Sequence, residues 1–519
     1  KTIVILNCLK NPLKPITRVL STARKFASQT AIYGISTVFS RVLNFFLTPI
    51  YVRVYPVKAY GIFTTMYSWA SMLNALLSFG METTFFRYLN KEEHRKEEVY
   101  QNTFFFIFSL AASFGLFALL FVGDIAAWMQ RDTAYSNPDF GRYVQYFIYI
   151  LMLDALSVIP FAKLRADGRA KRYGLLKFLN VLVFVSLNLF FIYGIPHIIQ
   201  NQLPGAQFLA SWFRPGWVGY VFLSNLLASA TVLLLLIPEL LQLKLGINWR
   251  IIGQMLSYSW PVLVANISFI INENIDKVFL GRLLPAAISQ QEVGIYGACC
   301  KLAIFLSIFI QAFRLGSEPF FFSQAKNANA KETYARIMHY FVLAVCLITL
   351  SLVANIELLK YFIKGHADEQ ALYWSGLKIV PVLLFAYVFL GVYMNLSIWY
   401  KLSDQTRYGL YISGVGAVLT IGLNIWLIPQ YSYVASAWIT LLAYLIMSAL
   451  SYILGQKNYP IPYRLKRNTA YILLAAALVW LSFTVFNKNI FIGNGLLLVY
   501  VFIVYWFEQK EVRAILKRV

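Results

Sequence analysis

Eight of the charged side chains inside or at the ends of long apolar segments of this 519-residue chain are the residues best placed for chemistry. Inside the segments are Arg41, Asp154, Glu273, Asp276, Lys277 and Lys301, and at segment ends are Arg87 and Arg314. A charge in an apolar environment is costly, so its presence indicates pairing or function. Basic groups there could neutralise an anion, and acidic groups could take up and release a proton or sodium ion.

Other kinds of site find little support in the sequence. There are only four histidines, and the four cysteines, Cys8, Cys299, Cys300 and Cys346, form no CxxC pair. Neither a zinc site nor a disulfide framework is indicated. A GxxxxGK[ST] phosphate-binding loop is also missing from the sequence. We therefore expect no catalytic residues, no metal and no cofactor, and a protein that is not an enzyme.

The composition predicts that the surroundings of these residues are lipid. Hydrophobic residues make up 59% of the chain and charged residues only 13%, whereas soluble domains have about 25% charged residues. The net charge of +23 comes from lysines and arginines clustered in short loops between the apolar segments. This pattern is typical of membrane topology, so we expect no nucleic-acid partner.

The apolar segments predict an all-α membrane protein, because about 20 apolar residues are needed to cross the hydrocarbon. Fourteen candidate spans lie near 29–51, 61–84, 101–122, 143–161, 175–195, 217–237, 257–281, 294–313, 337–356, 376–399, 409–428, 434–454, 470–486 and 490–507. The last two are separated by Asn487, Lys488 and Asn489, which predicts a tight hairpin.

The distribution of basic residues predicts the orientation. Lysines and arginines in the two tails and in alternate loops total 31, against 10 in the other loops when Lys378, at the start of the span 376–399, is counted with them. Because positive charge favours the cytoplasmic side, we expect both termini in the cytoplasm and an even number of spans.

Short motifs recur at a nearly constant offset. Arg53-Val-Tyr-Pro56 is similar to Arg282-Leu-Leu-Pro285, and Arg172-Tyr-Gly174 matches Arg407-Tyr-Gly409. These repeats predict two six-helix lobes that enter the membrane in the same direction. We place a cytoplasmic N-terminal segment at 1–26, the lobes at 27–240 and 257–455, a cytoplasmic linker at 241–256, and two further helices with a cytoplasmic tail at 456–519. Around the linker, we expect residues 238–258 to form an amphipathic surface helix.

Several of these motifs carry a family resemblance over about residues 27–455. In the first lobe they are Ser40-Arg41-Val-Leu, Arg53-Val-Tyr-Pro56, Tyr60-Gly61, Phe79-Gly80 and Arg87, and in the second they are Asn274-Ile-Asp276-Lys277-Val-Phe-Leu-Gly281 and Val293-Gly294-Ile-Tyr296. The chain resembles the polysaccharide (O-antigen type) flippases of the multidrug/oligosaccharidyl-lipid/polysaccharide exporter superfamily. The Ser40-Arg41 step is also similar to the lipid II flippases, but these carry a second cation six residues later, where this chain has Leu47.

The resemblance implies a two-lobed carrier of the bacterial inner membrane that works by alternating access. Its substrate would be an oligosaccharide on a polyprenyl diphosphate, moved from the cytoplasmic to the periplasmic leaflet for polysaccharide or lipopolysaccharide synthesis. The expected partners are this lipid-linked oligosaccharide, membrane lipids, and a polysaccharide polymerase with other assembly proteins. A proton, a sodium ion or the membrane potential would supply the energy.

Roles for the eight charged residues follow from this expectation. Arg41, Lys277 and Lys301 would bind the diphosphate, and Arg87 and Arg314 would guard the cytoplasmic mouth. Glu273, Asp276 and Asp154 would couple transport to an ion. Alternatively, these groups only pair with one another, Arg41 with Asp154 and Lys277 with Glu273 four residues earlier.

Three other functions stay open from the residues alone. A multidrug exporter of the same superfamily would need an acidic cavity for organic cations, whereas the first span here carries Arg41. A membrane-embedded glycosyltransferase or polymerase would need catalytic groups on a large outer loop, and the longest predicted outer loops, 123–142 and 196–216, are short. The third is an assembly scaffold that does not transport.

Overall fold

The computed structural model describes residues 39, 42–43, 45–91, 96–131, 137–244, 246–325, 327–403 and 405–516. All regular elements in these ranges are helices. In the first half they are α1 (Phe45–Val54), α2 (Val57–Ser78), α3 (Met81–Lys91), α4 (Lys96–Leu120), α5 (Val122–Met129), α6 (Asn137–Ala166), α7 (Ala170–Leu189), α8 (Ile195–Gln200), α9 (Ala206–Trp212), α10 (Gly219–Leu235) and α11 (Ile237–Leu240). A π-helical turn, Phe190–Gly194, joins α7 to α8.

The described part of the second half contains ten further α-helices, several of them longer than those of the first half. They are α12 (Trp249–Leu283), α13 (Ala286–Gln324), α14 (Ala330–Ala354), α15 (Ile356–Leu359), α16 (Gln370–Ser375), α17 (Val380–Leu396), α18 (Ile398–Leu402), α19 (Arg407–Asn458), α20 (Leu465–Trp480) and α21 (Ile490–Leu516). The predicted all-α class is confirmed.

Ten of the described helices are long and apolar enough to cross a membrane. Two shorter apolar helices, Phe45–Val54 and Gly219–Leu235, lie where further spans are predicted. One of the ten, α19, is 52 residues long and contains two predicted spans, 409–428 and 434–454, on either side of Ser432. Ser432 has φ 51° and ψ −141°, so the helix is interrupted there. The total of fourteen spans stays a prediction.

Helices α2 and α13 make the closest contact between the two halves. Both are preceded by a proline N-cap of similar backbone geometry, Pro56 (φ −56°, ψ 153°) and Pro285 (φ −53°, ψ 140°). Just beyond these caps, Gly61 lies against the backbone of Gln290, and Gly294 lies against the backbone of Val57. We call this region the outer end, because the charge distribution predicts that it faces the periplasm.

The connection between the halves differs from the predicted surface helix over 238–258. After α11 the described residues 241–244 and 246–248 are not helical. Asn248 then caps α12, its side chain accepting hydrogen bonds from the backbone N–H groups of Arg250 (3.2 Å) and Ile251 (3.3 Å). Because this cap fixes the helix start, Trp249 belongs to a 35-residue helix that continues into the predicted seventh span. The expectation of a separate surface helix is wrong.

The C-terminal helices α20 and α21 form the predicted hairpin and pack on α14. The turn between them includes Asn487 and Lys488 at φ 46° and 61°. Near the other end of the hairpin Glu508 is buried, and it accepts a hydrogen bond from the Tyr471 hydroxyl at 2.8 Å. His339 of α14 lies 3.3 Å from the same carboxylate, and Arg467 of α20 lies 3.5 Å from it. A buried polar cluster therefore ties the C-terminal pair to the second half.

Candidate functional site

The predicted acids and lysines of the second half come together on α12 and α13. The Lys277 ammonium donates to Asp276 Oδ1 at 2.9 Å and to the Glu273 carbonyl at 2.7 Å. The Tyr296 hydroxyl of α13 donates to Asp276 Oδ2 at 2.5 Å. Only 3% of the Asp276 side chain and 15% of the Lys277 side chain are exposed. The carboxylate partner of Lys277 is Asp276, and the alternative pairing with the Glu273 carboxylate is wrong.

Lys301 lies beside this pair but has no carboxylate partner of its own among the described residues. It follows Tyr296 on α13, and its ammonium is close enough to Lys277 for the two charges to repel. Among the residues that the structure describes, no carboxylate lies within 4.0 Å of the Lys301 ammonium. We call Glu273, Asp276, Lys277, Lys301 and Tyr296 the lysine cluster. It holds one closed ion pair and one further, half-buried lysine.

A second polar region, here called the N-terminal cavity, has a volume of about 560 Å³. Helices α2, α6, α7 and α10 of the first half line it, together with Glu82 of α3 and Ile270 of α12. Each of these four helices contributes polar residues three or four positions apart, a spacing that places them on one helix face. They are Ser71, Asn74 and Ser78 on α2, Asp154 and Ser157 on α6, Tyr173, Lys177 and Asn180 on α7, and Asn225 and Ser229 on α10.

Asp154 and Lys177 are the charged groups at the inner part of this cavity. Asp154 Oδ1 accepts a hydrogen bond from the Ser229 hydroxyl at 2.7 Å, and Asn74 lies beside the same carboxylate. The Lys177 ammonium lies 4.2 Å from the centroid of the Phe161 ring. Asp154 acts on Lys177 electrostatically, but neither it nor any other described carboxylate is within 4.0 Å. The charge of Lys177 is thus only partly compensated.

An ion pair closes the far end of the N-terminal cavity. Arg165, in the last turn of α6, pairs with Glu82 in the first turn of α3. The Arg165 guanidinium also lies 5.0 Å from the Phe86 ring centroid. From Asp154 to Arg165 the helix advances about 16 Å at 1.5 Å per residue. The cavity therefore extends from the middle of α6 to its end.

The two predicted mouth arginines lie in different surroundings. The Arg87 guanidinium of α3 stacks 3.9 Å from the Tyr258 ring centroid of α12. Arg314 of α13 lines a small recess together with Glu318 and Lys401, which pair with each other at 2.7 Å. Neither arginine is within 4.0 Å of a carboxylate among the described residues.

The described residues contain no group of three or more potential ligands that could hold a metal ion. Cys299, Cys300 and Cys346 are buried free thiols.

The sequence matches the family described as "Polysaccharide biosynthesis protein" over residues 26–315, which is more than half of the chain. The chain belongs to this family. The family described as "MatE" also matches, over residues 261–426. No curated protein matches this polysaccharide biosynthesis protein in sequence.

Solved structures similar to this family member are membrane transporters. The lipid II flippase MurJ in an inward closed conformation is 14% identical, with a TM-score of 0.68 over 93% of this chain and 100% of its own. An inward-facing multidrug resistance MATE transporter of the MOP superfamily is 13% identical, with a TM-score of 0.61 over 80% of this chain and 94% of its own. A MOP superfamily transporter from Pyrococcus furiosus, described as having a binding pocket of reverse polarity, is 16% identical with a TM-score of 0.53. The match covers 83% of this chain and 95% of that transporter. The chain is a polytopic membrane protein with the MOP-superfamily fold.

The fold brings some of the predicted site residues together and separates others. Glu273, Asp276, Lys277 and Lys301 share one cluster, whereas Asp154 lies in the N-terminal cavity, and Arg87 and Arg314 lie apart from both. Arg41 lies outside the described residues, so its pairing with Asp154 stays a prediction.

Sequence reasoning missed Tyr296 and the neutral polar residues of the N-terminal cavity. Their signal is present in the sequence as polar residues at helical spacing inside apolar spans, for example Lys177 with Asn180 and Asn225 with Ser229. Polar groups in a membrane span need a partner or a function, so this spacing could have found the cavity.

Proposed function

We propose that this protein moves a polyprenyl-diphosphate-linked oligosaccharide from the cytoplasmic to the periplasmic leaflet of the bacterial inner membrane by alternating access. The observation that carries the proposal is that Lys301 and Lys177 lie in the spans without a carboxylate within 4.0 Å of either ammonium among the described residues. Membership of a polysaccharide biosynthesis family and the likeness to a lipid II flippase point in the same direction.

The energetics favour an anionic ligand at the lysine cluster. Burying a lysine at the centre of a membrane span costs about 2.5–3.5 kcal/mol on insertion scales. A unit-charge pair at about 4 Å contributes roughly 4 kcal/mol at an effective dielectric constant of 20. One phosphate oxygen beside Lys301 therefore offsets the cost of burying this lysine. In the proposal, Lys277, Lys301 and Arg41 bind the diphosphate, and Arg87 and Arg314 attract it to the cytoplasmic mouth.

Ion coupling would follow from competition for Lys277. Asp276 uses both carboxylate oxygens, one for Lys277 and one for Tyr296. A phosphate that draws the ammonium away would leave Asp276 without its counter-charge in a low-dielectric site, which favours uptake of a proton or a sodium ion. Glu273 is the second acid within reach of this exchange, and Asp154 would serve the N-terminal cavity in the same way.

The experiment is transfer between the leaflets of proteoliposomes. A polyprenyl diphosphate oligosaccharide is placed in one leaflet and its appearance in the other is followed, with and without an imposed potential or ion gradient. We expect gradient-dependent transfer that Lys301→Gln and Arg41→Ala each reduce at least about tenfold, the equivalent of about 1.4 kcal/mol. Lys466→Gln removes an exposed lysine of α20 and is the matched control. Wild-type rates in both test variants would refute the role of the cations.

A multidrug exporter is the second candidate, because the MatE family matches the second half of the chain. The same vesicles distinguish the two functions. Efflux of small cationic dyes without transfer of the lipid-linked oligosaccharide would favour the exporter. The ammonium of Lys301 argues against it, because a cationic drug would be repelled there.

A further inference from the structure

We infer that the N-terminal cavity binds the sugar portion of the substrate, and that Lys177 selects a saccharide carrying a carboxylate, such as a uronic acid. This inference rests on the proposed function, which places the diphosphate at the lysine cluster. It adds a second binding region on another set of helices and a chemical preference for the sugar.

The lining of the cavity suits a carbohydrate. Amides and hydroxyls are the largest group among its side chains, and the Phe161 and Tyr173 rings also line it. Sugars present many hydroxyl groups, so a pocket that binds them must supply both donors and acceptors, as asparagine amides do. A volume of about 560 Å³ falls in the usual range of roughly 300–1,000 Å³ for small-molecule pockets.

Two neighbouring groups in the cavity have unused binding capacity. The Asn180 amide and the Lys177 ammonium lie three residues apart on one face of α7, and both line the cavity. Neither has a hydrogen bond or an ion pair with any other part of the described chain. Because polar groups within a membrane span normally have a partner or a function, this pair indicates a ligand with one acceptor for each group.

The charge of Lys177 specifies what that ligand carries. Asp154 already accepts a hydrogen bond from Ser229, and Arg165 pairs with Glu82, so Lys177 is the charged group of the cavity with no hydrogen bond in the described structure. A neutral sugar would leave its ammonium with only the Phe161 ring and the longer-range attraction of Asp154. A sugar carboxylate would complete a charge-assisted hydrogen bond, which is roughly twice as strong as a neutral one.

The cavity is also within reach of the diphosphate site. Ile270 of α12 forms part of its wall, and the Asn274 amide donates to Ser71 Oγ at 3.4 Å across the boundary between the helices. Lys277 lies seven residues beyond Ile270 on α12, or about 10 Å along the helix axis. A saccharide attached to a diphosphate at Lys277 can therefore extend along α12 into the cavity.

The test compares two substrates that differ in one group. Polyprenyl diphosphate disaccharides with either glucuronic acid or glucose as the second sugar are reconstituted with the wild-type protein, Lys177→Gln, Lys177→Arg and the control Lys466→Gln. We expect wild type and Lys466→Gln to transfer the glucuronic acid substrate about tenfold faster, a factor equal to about 1.4 kcal/mol. Lys177→Gln should lose this preference, and Lys177→Arg should keep it because the charge remains.

Equal transfer of both substrates by the wild type, or an unchanged preference in Lys177→Gln, would overturn the inference and leave the proposed function intact. Transfer of neither substrate by the wild type would overturn both. A second measurement does not depend on transport or on the stability of a variant. In detergent, the free glucuronosyl disaccharide should raise the Tm of the wild type more than the glucosyl disaccharide does, and equal Tm values would contradict the role of Lys177.

Discussion

Replacing Gly61 by alanine should open the outer end of the protein. Gly61 of α2 packs directly on the backbone of α13. A Cβ atom at this position would overlap the Gln290 carbonyl oxygen and would lie 2.7 Å from the carbonyl carbon and 3.2 Å from Cα. Ordinary contacts of a Cβ atom are 3.4–4 Å. Because backbone cannot rotate away as a side chain can, the two helices must separate by about 1.6 Å for the Cβ atom and the carbonyl oxygen to reach ordinary contact.

Overpacking of this kind costs about 1–3 kcal/mol. The cost falls on the state in which α2 and α13 touch, and separation of the helices avoids it. An energy of that size changes the ratio of closed to open states by roughly 5- to 150-fold. Helix propensity works in the other direction, since alanine in a helix is about 1 kcal/mol better than glycine. We therefore expect a folded protein whose outer end is shifted toward the open state.

The assay is the distance between spin labels on the two halves. Arg53 and Ala287 are both exposed at the outer end and are suitable attachment sites once the native cysteines are replaced by alanine. Gly422→Ala is the matched control, because a Cβ atom at this helical glycine would meet no atom within 4 Å. Gly61→Ala should lengthen the distance and Gly422→Ala should not. Identical distance distributions in the two variants would refute the idea that this glycine contact holds the outer end closed.

Three further predictions concern stability. Glu508→Ala should lower the Tm strongly, because breaking a buried ion cluster by removing one partner costs about 3–5 kcal/mol. The control Glu332→Ala changes an exposed residue and should leave the Tm unchanged. Equal Tm values in the two variants would show that this cluster does not hold α20 and α21. Asp139→Ala should make the segment around Arg214 and Trp217 sensitive to protease, because the carboxylate accepts hydrogen bonds from both residues at 2.6–3.1 Å. The control is Glu97→Ala, which removes only an exposed pair with Lys244. Equal cleavage of both variants would contradict the prediction. Burial raises the pKa of Glu369, although this residue accepts a hydrogen bond from the Val57 N–H. A raised pKa means that the fold favours the protonated carboxyl and loses stability as the pH rises through its titration. The Tm of Glu369→Gln minus that of the wild type should therefore be larger at pH 8 than at pH 4. The same Tm difference at both pH values would contradict this.

Three features of the protein could be predicted from the sequence alone. Because backbone groups must be satisfied internally in lipid, long apolar segments are bound to form helices, and the predicted spans coincide with helices wherever the structure describes them. The hairpin at residues 487–489 follows from the three polar residues between two apolar runs. The motifs around Pro56 and Pro285 indicate the superfamily, and the family match over residues 26–315 agrees with this.

Only the tertiary structure decided which residues meet. Helical periodicity tells which positions share a face, so it placed Glu273 beside Lys277, but the carboxylate that pairs with Lys277 is that of Asp276, which Tyr296 on another helix holds in position. Periodicity also could not separate Asp154 from the lysine cluster or assemble the N-terminal cavity from four helices. The physical reason is that lipid tails are as apolar as the helix surfaces, so hydrophobicity in a membrane does not select which helix faces which. Close packing and buried polar contacts between distant parts of the chain make that selection, as Gly61 against Gln290 and Asn274 against Ser71 show.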